Sequence, residues 1–266
     1  MLRKGDIGDM VLWLQKQLNL HGFGPIGVDG VFGKNTENAV KRFQCARKLS
    51  VDGIAGPMTQ TYLRETPTTP LKLVSLRRPA ILEVLEEKGY TVFDDGQVNL
   101  IGVRFESEEA NAFDDEMHLV WKSGDAWNHK TYRITTDPGT YWLKNPSNVD
   151  GTAILVPGQY PVYQWALHQG RYRTLCQRGG TVTVWRDNNK DNTLDYGGEE
   201  HTGWFGINIH HAGTNSTQVD KWSAGCQVFA RLTDWGEAMH ICESSGVERF
   251  TYSLVEEKDL RSTSLA

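Results

Sequence analysis

A histidine and a cysteine 16 residues apart are the side chains of this sequence best suited to covalent chemistry. His210 ends the run Gly203-Trp-Phe-Gly-Ile-Asn-Ile-His210, and Cys226 ends the turn Ser223-Ala-Gly-Cys226. A thiol is nucleophilic only as the thiolate, and a nearby imidazole can take its proton or stabilise the anion. The pair therefore predicts attack by the Cys226 sulfur on a carbonyl carbon, with His210 as the general base.

The residues around this pair predict how it is displayed. If the first run is a strand, alternate side chains face opposite sides, and the apolar ones within 205–209 are expected in the core. His210, rather than His211, then projects from the polar face together with Asn208. In the cysteine turn, Gly225 would let the backbone approach a substrate carbonyl and offer N–H groups to an oxyanion.

A second group of polar residues precedes the histidine run. Oxygen-bearing side chains stand at positions 1, 3, 5 and 9 of one stretch, where a calcium loop places ligands: Asp187, Asn189, Asp191 and Asp195. The sixth position is Asn192 rather than glycine and the twelfth is Gly198, and Asn/Asp-rich stretches also form solvated hairpin loops. A structural calcium ion and a metal-free loop therefore both stay open.

The first 65 residues contain an internal near-repeat. Val28-Asp-Gly-Val-Phe-Gly33 is echoed 23 residues later by Val51-Asp-Gly-Ile-Ala-Gly56. Apolar residues at helical spacing follow Asp9, follow Thr36 and occupy 57–63, which predicts three short helices. The Asp-Gly pairs specify the turns, because glycine tolerates positive φ and aspartate bonds to nearby amides.

The second helical run, Thr36-Glu-Asn-Ala-Val-Lys-Arg-Phe-Gln44, and the two Asp-Gly turns resemble the small three-helix peptidoglycan-binding domain of bacterial and phage cell-wall enzymes. The resemblance implies a three-helix fold over residues 1–65 and a groove beside the helices that binds carbohydrate or stem peptide. A purely structural module is the alternative, since Asp-Gly turns suit any compact helical bundle. The ligand contacts implied by the resemblance are Asp29, Phe32, Gly33, Asp52 and Gly56.

Beyond this unit the composition changes. Thr66-Pro-Thr-Thr-Pro70 cannot continue a helix and predicts a linker over 66–73. Residues 74–266 begin with a helix near 79–88 and continue as short alternating runs between Gly, Pro, Asn and Asp, which predicts a β-rich domain with a hairpin around Asp94-Asp-Gly96. The predicted strands are 91–93, 98–104, 118–121, 131–135, 152–156, 160–165, 181–185, 202–209 and, after a helix at 233–243, 249–255.

The order Ile-x-Ile-His210, about 15 residues, then Ser-x-Gly-Cys226 resembles the signature of the L,D-transpeptidase catalytic domain, a β-sandwich-like fold of peptidoglycan enzymes with a cysteine nucleophile. The resemblance implies that Cys226 is the nucleophile and His210 the general base. It places Ser223 and Gly225 in the turn that shapes the site and the oxyanion hole.

Three positions depart from that signature. Ala224 stands where the family often has His, Val228 where many members have Arg or Asn, and His211 where Gly is usual. We therefore expect a divergent branch of the family. Substrate-binding candidates near the catalytic segments are His211, Trp204, Trp222 and Asn208.

The two resemblances point to the same substrate, because wall-binding domains often accompany enzymes that act on the wall. In the family, the cysteine attacks a stem-peptide carbonyl to form a thioester; water as acceptor gives cleavage and an amine gives a cross-link. Without the family's arginine we favour a phage endolysin-like peptidoglycan hydrolase, with a cross-linking L,D-transpeptidase as the alternative. A zinc peptidase using His210, His211 and Cys226 and a non-enzymatic wall-binding protein stay open, although no HExxH is present.

Composition excludes several other classes. The 266 residues carry 28 Lys and Arg against 33 Asp and Glu, so no basic footprint for nucleic acid exists, and charges interrupt every apolar run long enough for a membrane helix. Residues 1–9 lack the apolar stretch of a secretory signal, and the four cysteines have irregular spacings. We expect a monomer with reduced thiols and no required cofactor, made in the bacterial cytoplasm and acting on peptidoglycan at the cell wall.

Overall fold

The computed structural model divides into two compact units, Met1–Ser75 and Leu76–Ala266. The predicted linker over 66–73 lies outside the described residues, so the exact domain boundaries stay a prediction. In the described part of the chain, no helix has the length and apolar character needed to cross a membrane. The structure describes residues 1–21, 23–24, 26–47, 49–64, 78–106 and 110–262.

The first unit contains the three predicted helices, α1 (Asp9–Leu20), α2 (Lys34–Ala46) and α3 (Pro57–Arg64). Asp9 is the first residue of α1; Gly8, with φ 126°, is the N-cap, and no side chain caps the helix. The apolar stripes of the helices meet in one core, formed by Val11, Leu14, Leu18, Ile26, Phe32, Ala39, Val40, Phe43, Ala55 and Leu63.

A buried glutamine ties the first Asp-Gly turn to the helices on either side. Gln15 Nε2 donates to Asp29 Oδ1 at 2.8 Å and to Thr36 Oγ1 at 3.1 Å, while Gly30 N donates to Gln15 Oε1 at 2.9 Å. Gly30 has φ 74°, the left-handed backbone that glycine adopts at least cost. The turn is thus fixed by side-chain amide chemistry as well as by its own backbone.

The second Asp-Gly turn repeats these contacts. Gln44 Nε2 donates to Asp52 Oδ1 at 2.8 Å and to Thr59 Oγ1 at 3.2 Å, and Gly53 N donates to Gln44 Oε1 at 2.9 Å. The near-repeat in the sequence is therefore a repeat of a complete hydrogen-bond network.

The second unit consists of eleven strands and four helices in its described part. The strands are β1 (Asn99–Arg104), β2 (Asp115–Ser123), β3 (Ala126–Thr135), β4 (Thr152–Leu155), β5 (Gly158–His168), β6 (Tyr172–Gln177), β7 (Val182–Asp187), β8 (His201–Gly203), β9 (Ile209–His211), β10 (Gln227–Phe229) and β11 (Arg249–Glu256). The helices are α4 (Ile81–Glu87), α5 (Thr140–Lys144), α6 (Leu232–Ser244) and α7 (Glu257–Ser262).

Eight of these strands close into a barrel in the order β1-β11-β5-β6-β9-β10-β3-β2, and β4, β7 and β8 form a separate three-stranded sheet. The β1–β11 and β9–β10 pairs are parallel, whereas the other barrel pairs are antiparallel. The predicted β-rich domain is confirmed. Its main body is a closed barrel rather than the sandwich that the resemblance implied.

Inward-facing side chains fill the barrel, so it is a packed core and not a channel. Each fully buried Leu, Ile or Phe stabilises such a core by about 1.5–3 kcal/mol relative to exposure. Helix α6 adds Ala238, Met239, Ile241 and Cys242 to this core, and α4 packs on the outside of the barrel. The inward side chains include Leu100, Leu119, Ile134, Leu175, Ile209, Phe229 and Leu254.

Two local predictions were wrong. Residues 91–93 form no strand, and β1 pairs with β2 and β11 instead of a hairpin partner. The Asn99 side chain replaces that pairing, since Phe93 N donates to Asn99 Oδ1 at 2.8 Å and Asn99 Nδ2 donates to Phe93 O at 2.8 Å. The run 202–209 is not one strand, because Gly206 adopts φ 71° and separates β8 from β9.

Candidate active site

The cysteine and the histidine lie on neighbouring parallel strands. β10 pairs with β9 so that Val228 is opposite His210, and Gln227 N donates to Asn208 O at 2.9 Å. Continuing this register by one residue sets Cys226 beside Asn208. From strand spacing and rise, the Cα atoms of Cys226 and His210 are roughly 8 Å apart. Because Ile209 faces the barrel core, these side chains share the outer face of the barrel.

The Cys226 thiol is half-buried and contacts two backbone groups of the preceding loop. Asn208 N donates to Cys226 Sγ at 3.4 Å, and the thiol donates to Gly206 O at 3.5 Å. Burial raises the pKa of Cys226 to about 11. The resting side chain is therefore a neutral thiol that needs a base when it attacks.

His210 supplies a neutral imidazole with a defined tautomer. Its Nδ1 lies 3.0 Å from the carbonyl oxygen of His211, which can only accept, so Nδ1 carries the proton and Nε2 the lone pair. Burial, together with the neighbouring His168, lowers the pKa of His210 to about 3. The ring thus stays unprotonated across the neutral and mildly acidic range, with the Nε2 lone pair free to accept a proton.

His168, at the end of β5, was not predicted as part of the site. Its ring stacks on His210 with 4.3 Å between centroids. Asn208 Oδ1 accepts from Gln177 N at 3.0 Å, so Asn208 Nδ2 is left to donate to His168 Nδ1 at 3.3 Å. Asn208 therefore connects the two histidines to the cysteine strand. No local motif marks His168, because β5 comes near β9 only through the pairing of each with β6.

His211 lies on the other face of β9 from His210. Its ring contacts Tyr172 at 4.6 Å and Trp235 at 4.7 Å between centroids. This aromatic cluster holds His211 against α6 rather than beside Cys226. Its predicted role in substrate binding stays a prediction.

The turn before the cysteine is shaped by Ser223 and Gly225. Ser223 Oγ donates to Cys226 O at 2.9 Å and accepts from Gly225 N at 3.1 Å. Gly225 has φ 115°, and a Cβ there would lie 2.3 Å from Ala153 O, so no other residue fits. Both residues shape the turn, but the Gly225 N–H is already used by Ser223 and is not free for an oxyanion.

A buried glutamine holds the loop that carries the contacts to sulfur. Gln177 is fully buried at the end of β6, and its Nε2 donates to Gly180 O at 3.1 Å and Gly203 O at 3.0 Å. Three consecutive backbone N–H groups converge on its Oε1, which fixes the Gly206 carbonyl facing Cys226. These donors are Phe205 N at 3.3 Å, Gly206 N at 2.9 Å and Ile207 N at 3.1 Å.

The two tryptophans proposed for the cleft differ in position. Trp222 is 46% exposed and lines an open depression of about 570 Å³ next to the cysteine turn, where Lys221 Nζ lies 4.2 Å from the Tyr141 ring centroid. Trp204 is 61% exposed and does not line this depression. The structure thus brings Trp222, the residue directly before the Ser223–Cys226 turn, to a concave surface, and it does not bring Trp204 there.

The candidates in the first unit are engaged in its fold. The Val31 N–H and Gln15 lower the pKa of Asp29, and the Ile54 N–H and Gln44 do the same for Asp52. Phe32 is only 1% exposed and packs in the core, so its side chain faces away from any surface groove. Ligand contact by the two aspartates stays a prediction.

Metal ligation was predicted at two places. Over the described residues, no three His, Cys, Asp or Glu side chains are placed to hold a metal ion together. For the zinc hypothesis, His210 and His211 face opposite sides of β9 and cannot ligate one ion with Cys226. For the calcium hypothesis, Asp187 ends β7 and is fully buried, whereas Asn189, Asp191 and Asp195 are exposed in the following loop.

Comparison with known proteins bears chiefly on the first unit. Residues 7–63 match the family described as putative peptidoglycan binding domain, which confirms the predicted N-terminal domain. An uncharacterized protein of Kitasatospora aureofaciens is 43% identical over 76 residues, 27% of this chain and 64% of that protein. A spore cortex-lytic enzyme of Bacillus cereus is 41% identical over 63 residues, 24% of each chain. The chain therefore spans less than two thirds of the length of these relatives.

Among solved structures, the chain resembles the L,D-transpeptidase of Xylanimonas cellulosilytica, with 17% identity over 96% of this chain and 97% of that one. The TM-score of this match is 0.26. The chain thus combines a helical peptidoglycan-binding domain with a β-barrel unit, and Cys226 and His210 form a candidate site on the outer face of that barrel.

Proposed function

We propose that this chain is a peptidoglycan hydrolase that cleaves an amide bond of the stem peptide through a cysteine thioester. The observation that carries the proposal is the β9–β10 register, which sets Cys226 and His210 on one face of the barrel. The match of residues 7–63 to a peptidoglycan-binding domain supports the substrate class. The Bacillus cereus relative, named a spore cortex-lytic enzyme, agrees with action on the same polymer.

The reaction begins with both catalytic groups neutral. As Cys226 Sγ attacks the amide carbonyl carbon, His210 Nε2 takes the thiol proton, because the pKa values of about 11 and about 3 exclude a preformed ion pair. The leaving amine then takes the proton from His210 as the C–N bond breaks. Water attacks the thioester with His210 again as base, which releases the carboxylic acid and restores the thiol.

The acceptor decides between cleavage and cross-linking. Val228, opposite His210, is fully buried in an apolar cluster with Phe113 and Ala212. The site therefore has no cationic side chain at the position where the cross-linking family often has Arg. This supports water as the acceptor, and L,D-transpeptidase cross-linking is the alternative.

The test is digestion of purified peptidoglycan by the full chain, with products identified by mass spectrometry. We expect stem-peptide fragments with the wild type, none with Cys226→Ala, and unchanged products with Cys176→Ala, a buried free thiol that serves as the matched control. Cleavage that survives in Cys226→Ala, or that is lost only on adding a chelator, would overturn the thiol mechanism. Products joined by a new amide would replace hydrolysis by transpeptidation, and wall binding without any product would refute catalysis.

A further inference from the structure

The end of β7 contains a buried carboxylate that the proposed reaction does not use. Asp187 is fully buried; its Oδ2 accepts from Asp195 N at 3.1 Å, and its Oδ1 has no hydrogen-bond partner among the described residues. A buried carboxylate is costly unless its oxygens are hydrogen-bonded or face a cation. Burial of Asp187 Oδ1 is therefore favourable only if this oxygen is protonated or bound to a cation.

Other oxygen-bearing side chains surround this carboxylate. The hydrogen bond from Asp195 N to the Asp187 side chain brings the two ends of the loop together. Within the loop, Asn189 Nδ2 donates to Asp195 Oδ2 at 2.9 Å. Asp191 and Asp195 are exposed, and no ion pair in the described part of the chain involves any of the three aspartates. The loop thus carries three aspartates against one lysine, Lys190, and it keeps a net negative charge.

We propose that residues 187–195 form a calcium-binding loop. Asp187 Oδ1 is the buried ligand, and the side-chain oxygens of Asn189, Asp191 and Asp195 close over the ion from the solvent side. Calcium accepts six to eight oxygens in flexible geometry, so backbone carbonyls and water can complete the shell. Magnesium demands near-ideal octahedral geometry and sheds water reluctantly, which an exposed, flexible loop serves poorly.

Binding requires the loop to tighten, because its side chains do not form a ready-made metal cage among the described residues. The Asn189 amide now presents nitrogen to Asp195 and must turn its oxygen inward. The left-handed residue is Lys190, with φ 65°, rather than the sixth-position Asn192 of a standard loop. Because closure costs free energy, we expect affinity on the order of 10⁻⁴–10⁻³ M, as in extracellular calcium modules.

The ion would act through structure rather than chemistry. Leu194 packs with Trp185 in a cluster beneath the loop, and Tyr196 OH donates to Asp137 Oδ2 at 2.9 Å. The loop then leads into β8, whose last residue, Gly203, is held by Gln177. Calcium would therefore stiffen the connection that precedes the His210 strand.

The test is metal binding by the full chain, measured by terbium luminescence and calcium calorimetry. Trp185 and Tyr196 lie next to the loop and can sensitise bound Tb³⁺. We expect one site from which Ca²⁺ displaces Tb³⁺ and a higher melting temperature in calcium than in chelator. Asp191→Asn and Asp195→Asn should each weaken calcium affinity at least about tenfold, because each removes a charged ligand. Asp125→Asn, at an exposed turn elsewhere, should bind as the wild type does.

Several results would overturn the proposal. One is the absence of calcium heat and of calcium-displaced terbium emission up to about 10 mM. Others are equal affinity in Asp191→Asn, Asp195→Asn and the control, or displacement by Mg²⁺ as effective as by Ca²⁺. The substituted ligands are exposed, so circular dichroism is expected to confirm a native fold. None of these measurements uses peptidoglycan, so their outcome is independent of the proposed hydrolase activity.

Discussion

Buried glutamines organise loops in both units, but the contacts they make differ. In the first unit, Gln15 and Gln44 each accept one glycine N–H and donate to the aspartate of a turn and to a threonine in the helix that follows it. In the second unit, Gln177 gathers three consecutive N–H groups on one oxygen and donates to two glycine carbonyls. The first two glutamines stabilise turns of the helical domain, whereas Gln177 holds the loop that contacts the Cys226 thiol.

The two regions also differ in which protonation state of their titratable groups the surroundings favour. At the turns, hydrogen bonds from backbone N–H groups and glutamines lower the pKa of Asp29 and Asp52 and favour their charged forms. At the thiol site, burial raises the pKa of Cys226 and lowers that of His210, which favours neutral forms. The aspartates of the two turns are thus charged, whereas Cys226 and His210 at the candidate catalytic site are neutral at rest.

Gln177→Leu gives the largest expected effect. It leaves three backbone N–H groups unpaired, at about 1–3 kcal/mol each, so we expect the second unit to lose about 3 kcal/mol or more of unfolding free energy. Peptidoglycan cleavage should be lost, and the pH midpoint for Cys226 alkylation should fall toward 9 as the loop releases the sulfur. Urea unfolding and alkylation followed by mass spectrometry measure both.

Gln177→Glu is the matched variant, because its carboxylate still accepts the three N–H groups while the donors to Gly180 and Gly203 are lost. We expect its alkylation midpoint to lie nearer the wild-type value than that of Gln177→Leu. If the two variants and the wild type share one midpoint, Gln177 stabilises the fold without positioning the thiol.

The pH dependence of Cys226 is the second largest effect. A pKa of about 11, two units above the ordinary 9.0, means that iodoacetamide should react about 50-fold more slowly at pH 9 than with an unperturbed thiol, because about 1% rather than half of the thiol is ionised. Because His210 has a pKa of about 3 and is neutral above that pH, kcat/KM for peptidoglycan fragments should stay constant as the pH falls through 6.5. A rate that halves near pH 6.5 would mean that a histidine with an ordinary pKa, not His210 as placed here, is the base.

The turn glutamines give smaller and separable effects. Gln15→Leu and Gln44→Leu should each destabilise their own turn by about 1–3 kcal/mol, the cost of unmet buried hydrogen bonds. Hydrogen exchange should accelerate at 29–31 in the first variant and at 52–54 in the second. Cys226 alkylation should be unchanged in both. Faster exchange at both turns from one substitution would show that the repeats are one cooperative network.

The smallest effects are expected at the exposed tryptophans. Trp222→Ala and Trp204→Ala should each change stability by no more than about 0.5 kcal/mol, as surface substitutions do. Since only Trp222 lines the depression beside the cysteine turn, Trp222→Ala should raise KM for stem-peptide substrates several-fold while Trp204→Ala leaves it unchanged. Equal KM values in both variants would show that the depression lined by Trp222 does not contact the substrate.

The sequence predicted the elements whose patterns are local. The helices of the first unit follow from apolar periodicity, and α6 and β11 were placed within one residue at each end. The strand β6 was not predicted, because Tyr172–Gln177 mixes polar and apolar residues without strict alternation. The hairpin at Asp94-Asp-Gly96 was predicted wrongly, since a turn signal says nothing about which strand β1 meets.

By itself, the sequence determined the peptidoglycan-binding domain and the β-rich character of the second unit, and it predicted Cys226 and His210 as a candidate catalytic pair. Local sequence patterns are sufficient for these, because helix periodicity, the Asp-Gly turns and the cysteine turn each depend on residues that are close together in the chain. Only the tertiary structure decided that the barrel closes, that His168 stacks on His210, and that Gln177 holds the loop facing the thiol. Those contacts join strands that are distant in sequence. Burial of Cys226 and His210 on the outer face of the barrel, rather than residue type, favours the neutral form of each side chain.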